Sequence, residues 1–215
     1  MVPYAWVSAN GQVEGQAASV NRSGFGDVAL RLSVNLIGAP ALSLKGFQDY
    51  HQDTIVGASL TVTAPTGQYD STKLVNIGTN RWSFKPEVGI SKALGRWIVE
   101  GMAGVTFYTD NDEFLGNNVR SQDPLYALQA HVSYKFNPTL WGALDWTYFL
   151  GGRTSFNGTL NEDLQSNTRW GATLAQSLDK NNSIKFYANA GLVARTGTDF
   201  KTVGIAWQYR FGAGL

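Results

Sequence analysis

Along most of the chain, apolar and polar residues take turns, and the period is two. Alternation of that kind marks a strand with two unlike faces. About ten segments carry it, near residues 2–9, 27–37, 54–64, 81–93, 96–109, 123–136, 139–150, 167–178, 183–196 and 201–211. Their lengths match the ~9–11 residues that a tilted membrane-crossing strand needs. In the fourth segment Trp82, Phe84, Pro86, Val88 and Ile90 share one face, with Lys85, Glu87, Gly89 and Ser91 on the other. In the last, Val203, Ile205, Trp207, Tyr209 and Phe211 oppose Thr202, Gly204, Gln208 and Arg210.

A soluble sandwich would alternate too, so two finer features decide. The apolar face has aromatics at its ends: Trp82, Phe107, Tyr126, Trp146, Tyr148 and Trp170 at one end, Trp97, Tyr134, Phe136, Phe186, Trp207, Tyr209 and Phe211 at the other. Segment middles carry Val88, Ala103, Ala130, Leu144, Ala172 and Ala190. Two aromatic girdles around an aliphatic band suit the two interfaces of a bilayer. The other face is charged at many positions, too polar for a packed core. The expected fold is all-β, an antiparallel up-and-down transmembrane β-barrel of about ten strands, forming one domain over residues 1–215 with membrane lipid around it.

Connection lengths alternate as well. Gly95-Arg96, Asn137–Thr139 and Asp179–Asn182 are short, while Asn10–Gly26, Thr66–Asn80, Asp110–Gln122 and Gly151–Asn167 are long. Long outer loops and short periplasmic turns are usual in such barrels, so an even strand count with both termini periplasmic is expected. Gly38–Asp53 is long on the short side, and its 41–47 stretch is expected to form a brief amphipathic helix. The link at 196–201 is short on the long side.

Composition narrows the rest. The net charge of +1 argues against nucleic acid, and the absence of cysteine excludes disulfides and thiolate metal sites. No stretch reaches the ~18 consecutive apolar residues of a membrane helix. Met1-Val2-Pro3-Tyr4 lacks a basic region followed by an apolar run, so no signal peptide is visible and a processed or truncated form is expected.

Several stretches carry a resemblance. They are Ser23-Gly24-Phe25-Gly26-Asp27, Gly38-Ala39-Pro40, Thr63-Ala64-Pro65-Thr66-Gly67-Gln68-Tyr69, and Leu74 through Glu87. Together they resemble the MetA-pathway of phenol degradation family of outer-membrane transporters, through to Trp207-Gln208-Tyr209-Arg210-Phe211. The resemblance implies a barrel in the bacterial outer membrane of Gram-negative cells, associated with uptake of aromatic compounds. Members of the family have a signal peptide and about two further strands before the one matching Val2–Ser8, giving about twelve. With ten, closure requires 2–9 to pair with 201–211, or the sheet keeps open edges, which lipid does not tolerate.

Placing the polar face inward gives Arg31, Lys85, Lys135, Arg169, Lys185, Arg195 and Arg210 as lumenal cations, and Glu87, Glu100 and Asp145 as anions. That excess favours anionic solutes, unless the charges pair across strands and plug the tube. Gln129, His131, Tyr187, Asn189 and Gln208 complete the expected lumen, with Tyr187 and Asn189 set beside Arg210 and Gln208 by the short link at 196–201. His131 and Asp145 should stand opposite each other. They suggest a hydrolase only if Ser133 were suitably placed, and a lumenal hydrogen-bonded pair is the plainer reading. No catalytic residue, metal site or cofactor is expected, since Asp110–Glu113 and Asn161–Asp163 lack regular ligand spacing.

The function expected is passage of small solutes, aromatic or anionic ones among them, by a non-enzyme that engages the barrel-assembly machinery. Alternatives are a plugged barrel with functional outer loops and, behind it, a lipid-modifying enzyme.

Overall fold

The period-two segments become strands in the computed structural model, which describes residues 1–13, 15–43, 46, 49–196 and 201–211. The helix expected over 41–47 falls largely outside them. Nine strands form one antiparallel sheet: β3 (Val28–Ile37), β4 (Thr54–Ala64), β5 (Ser83–Leu94), β6 (Trp97–Tyr108), β9 (Leu125–Lys135), β10 (Leu140–Gly151), β13 (Gln165–Ser177), β14 (Asn182–Val193) and β15 (Lys201–Tyr209). Each pairs with its neighbours in that order, as an up-and-down meander, and β3 and β15 are its two edges.

Side-chain chemistry builds the short links. Gly95 turns at φ 61 between β5 and β6. Asn137 Oδ1 accepts from the backbone N–H groups of Thr139 and Leu140 at 2.9 and 2.8 Å, and Asp179 Oδ1 does the same for Asn181 and Asn182 at 2.7 and 2.8 Å. Such Asx turns replace backbone partners locally.

The outward face has no cover. Leu30 and Leu32 are 73% and 74% exposed, Leu144 60% and Ile205 66%. A row of bare aliphatics this long is intelligible against lipid and not against water.

The girdles do not follow the hydrogen-bonded rows. Phe84 is opposite Phe107, Tyr126 opposite Val105, Tyr148 opposite Leu128, and Trp146 opposite Ala130 and Trp170. From β5 to β13 the upper girdle thus slips down the register strand by strand. The lower one slips the same way, from the Trp97–Tyr134 pair to Phe136, Trp207 and Tyr209. A level interface crossing strands that tilt against the barrel axis requires this drift. Within the girdles, rings meet at 4.6 Å (Trp97–Tyr134), 5.1 Å (Tyr134–Phe136) and 6.3 Å (Trp146–Tyr148).

Three expectations change. The 2–9 segment pairs neither with 201–211 nor within the main sheet. Instead β1 (Tyr4–Val13) pairs with β2 (Gln16–Phe25), a strand inside the supposed loop 10–26. Gly15, at φ 79, turns the hairpin, and β2 runs on almost directly into β3, so the hairpin stands beyond the sheet on the long-loop side. Among the described residues the main sheet therefore holds nine strands rather than an even number, and Met1 lies beside Ala29 at the long-loop end of β3 rather than at the short-turn side.

The long loops hold strands too. β7 (Asn111–Phe114), β8 (Asn118–Gln122), β11 (Thr154–Phe156) and β12 (Thr159–Leu160) make a second sheet. Its hairpins turn at Leu115-Gly116 and Asn157-Gly158, all four residues at positive φ. The pair suits tight hairpins, whose central residues need that region.

Hydrogen bonds fasten the loop at 65–82 to both hairpin systems. Asp27 Oδ1 accepts from Gly67 N at 2.9 Å, and its Oδ2 from Thr79 N and Oγ1 at 2.8 and 2.7 Å. Arg22 of β2 donates to Val75 O and Asn76 Oδ1 at 2.7 and 2.8 Å. Buried Asn111 donates to Tyr69 Oη and Thr79 O at 2.9 and 3.2 Å. Most of the Gly-Asp, Thr-Gly-Gln-Tyr and Asn-Ile-Gly-Thr-Asn residues noted above lie in this clasp.

Candidate functional site

Inward residues of the nine strands line the concave face, and its chemistry comes in two clusters. On the β3–β5 side Glu87 is almost fully buried. Lys85 Nζ lies 2.7 Å from its Oε1 and Arg31 Nη2 3.3 Å from its Oε2, while Arg31 also donates to Ser59 Oγ at 2.9 Å. Two of the expected lumenal cations are thus committed to one carboxylate, the cross-strand pairing that was the alternative. Next to them, Glu100, His131 and Asp145 stand directly opposite one another on β6, β9 and β10. His131 Nδ1 contacts Asp145 Oδ1, and Nε2 lies 3.8 Å from Glu100 Oε2. Both ring nitrogens face carboxylates. A hydrolytic triad needs one of them turned toward a nucleophile.

The second cluster is on β13 and β14. Arg169 donates to Asn189 Oδ1 at 3.0 Å, and Lys185 Nζ stands 5.8 Å from the Tyr187 ring centroid. A cavity of about 840 Å³ is lined here by Arg169, Lys185, Tyr187, Asn189, Phe149 and Gln129. A neighbouring one of about 440 Å³ reaches from Arg31 to Asp145. Asp145, Gln129 and Thr147 border both, so the two join along β9 and β10. That Arg31 and Asp145, five strands apart, share one cavity shows how strongly the sheet curves.

Glycines make room for these side chains. Glu87, Asp145 and Tyr187 are each opposite a glycine: Gly104, Gly171 and Gly204. A Cβ at Gly204 would come within 2.2 Å of the Tyr187 ring.

Other expected positions are not brought together. Tyr187 is opposite Gly204 and Asn189 opposite Thr202, not beside Arg210 and Gln208. The link between β14 and β15 begins at Ala194, so the register differs by six residues from the one a tight turn at 196–201 gives. Gln208 is opposite Ser183, exposed and outside both cavities. Arg210 lies past β15, its backbone N–H bonded to Asn181 O at 2.8 Å. Arg195 lies past β14, bonded through its backbone to Asn167 Oδ1 at 2.9 Å. Both are exposed, at opposite ends of the wall. Among the girdle residues, Trp82, Trp97, Trp170, Trp207, Tyr209 and Phe211 stand exposed on the outer face.

Phe149, Thr147 and Thr173 line the larger cavity without having been singled out. Inward parity with Asp145 and Gly171 was the signal for all three. Among the described residues no group of three or more metal-ligating side chains could hold an ion.

A curved sheet with a lipid-facing exterior, a charged concave face and a folded extracellular rim is the wall of an outer-membrane β-barrel channel. The chain belongs to the family described as "Putative MetA-pathway of phenol degradation", whose model matches residues 1–211. It is similar to the crystal structure of an outer membrane channel from Pseudomonas putida F1, at 25% identity and a TM-score of 0.77, over 97% of this chain and 73% of that one. No curated protein matches it significantly. The protein is an outer-membrane barrel of the transporter type, resident in the bacterial outer membrane.

Proposed function

We propose that the chain passes small solutes, with aromatic anions such as benzoates among them, and that the β13–β14 wall is where they dwell. The observation that carries this reading is the grouping of Arg169, Lys185, Tyr187 and Asn189 around one roomy lumenal cavity. A carboxylate would take the Lys185 ammonium, while its ring lies against Tyr187 or Phe149. The family description, which names phenol degradation, supports an aromatic solute by association. On the opposite side Lys85 and Arg31 offset Glu87, and Asp145 and Glu100 face His131, which supports Lys185 as the group that sets the sign of selection.

The test is the reversal potential of single channels in a planar bilayer across a salt gradient. Wild type should prefer anions, and Lys185→Gln should reduce the preference while conductance persists. Conduction without anion preference sinks the selective wall. No conduction favours a second reading, a plugged barrel with functional outer loops, which the Asp27 clasp on the 65–82 loop supports.

A further inference from the structure

At the long-loop end of the barrel wall, Arg81 carries a buried donor with no hydrogen-bond partner among the described residues. Tyr108 ends β6 in step with Glu100, Met102 and Thr106, so its ring belongs to the lumen side. The Arg81 guanidinium lies over that ring, 4.5 Å from its centroid. Arg81 Nη2 donates to Gln122 Oε1, and Gln122 Nε2 in turn donates to Gly152 O at 2.9 Å. Nη1 is buried and has no hydrogen-bond partner among the described residues. Among the described residues no carboxylate lies within ion-pair distance of Arg81, and Asp110 and Asp27 act on it only at longer range. Burial, and then the neighbouring Arg120, push the Arg81 pKa down. Tyr108, Asp110 and Asp27 oppose that shift, so the charge is part-buried and only partly compensated.

A buried donor left unmade is costly, and Nη1 therefore calls for an acceptor. The ring face offsets part of the charge but does not supply the absent acceptor. Gln122 offers only a neutral oxygen, and that oxygen occupies the place where an anion would bind best. A carboxylate displacing it would accept from Nη1 and Nη2 together, the two-pronged geometry that a guanidinium favours.

We infer that Arg81 and Tyr108 form an anion-binding site at the channel mouth for the carboxylate of a small aromatic acid, with the Tyr108 ring as its platform. The site deepens the channel reading by naming where the solute is first held. Binding can be measured without transport, so the two can fail separately.

Isothermal titration of the whole detergent-solubilised chain with sodium benzoate is the experiment, with acetate and benzyl alcohol as the ring-less and charge-less probes. Wild type should bind benzoate saturably and more tightly than either. Arg81→Gln should lose about tenfold or more in affinity, the scale of a charge-assisted pair. Gln122→Glu should lose as much, because its own carboxylate fills the fork, whereas a purely structural Arg81 predicts no such loss. Tyr108→Leu should bring benzoate down to the level of acetate. Lys180→Gln, in the exposed periplasmic turn, should bind as wild type, and Arg81→Lys keeps the charge if the glutamine variant fails to fold. The site is refuted if wild type shows no saturable binding, or if Arg81→Gln or Gln122→Glu binds benzoate as wild type does. Saturable binding in a chain that carries no current would keep the site and remove the channel.

Discussion

Replacing Leu144 by Arg tests the lipid face where the geometry is most demanding. Leu144 is 60% exposed and sits outward on β10, opposite Val132 and Ala172. The drifting girdles place Trp146 and Tyr148 just above it and the Phe136 row just below, so it lies near mid-bilayer. Ala130, two rows higher on β9, is also central, because Tyr126 and Tyr134 flank it four residues either way. An arginine at the midplane costs about 2–4 kcal/mol, against about 0–1 kcal/mol near an interface. On a surface facing water the same change stays within about 0.5 kcal/mol. The difference is large enough to read. Urea unfolding in lipid vesicles, followed by tryptophan fluorescence, should show Leu144→Arg and Ala130→Arg each destabilised on the larger scale. Costs below about 0.5 kcal/mol at both positions would overturn the assignment of faces.

Two further outcomes can be checked. Gly204→Ala should cost about 1–3 kcal/mol by overpacking against the Tyr187 ring, and Tyr187→Ala in the same chain should remove most of that cost. Equal costs in both backgrounds would mean the ring does not rest on Gly204. At Asp163 burial works to raise the carboxyl pKa, but hydrogen bonds from Thr154 Oγ1 and N, at 2.5 and 2.8 Å, outweigh it and hold the value below 3.8. The folded value is depressed, so this tie is present above 3.8 and lost as pH falls through the folded value. Amide exchange in residues 152–164, corrected for intrinsic rate, should rise only at such acidity, and a rise already near neutral pH would contradict it.

The sheet was legible because its signal is local. Period-two alternation fixes which residues face lipid, and nine of the ten expected segments stand within a few residues of their strands. The β1–β2 hairpin was not, since Gln16–Phe25 is mostly small and polar and its pattern resembles a loop. The Asn157-Gly158 turn was a readable hairpin signal that the length of its loop obscured. Inward residues such as Glu100, His131 and Asp145 followed from parity and short turns. The Arg210–Tyr187 pairing failed because register across an irregular link depends on where the turn begins, which alternation leaves open. Arg81 belongs to no strand, so only the folded rim could bring it over Tyr108.

The setting of Glu87 also bears on how the wall is made. Its carboxylate is 3% exposed, and the groups that satisfy it come from β3, β4 and β5: Arg31, Ser59 at 3.4 Å, and Lys85. Only Lys85 shares its strand. A lone β5 entering hydrocarbon would carry an ionised carboxylate with one partner and an unpaired backbone, both expensive there. Glu87 is therefore fully satisfied only where β3, β4 and β5 are paired side by side, and its carboxylate ties three strands of the wall together.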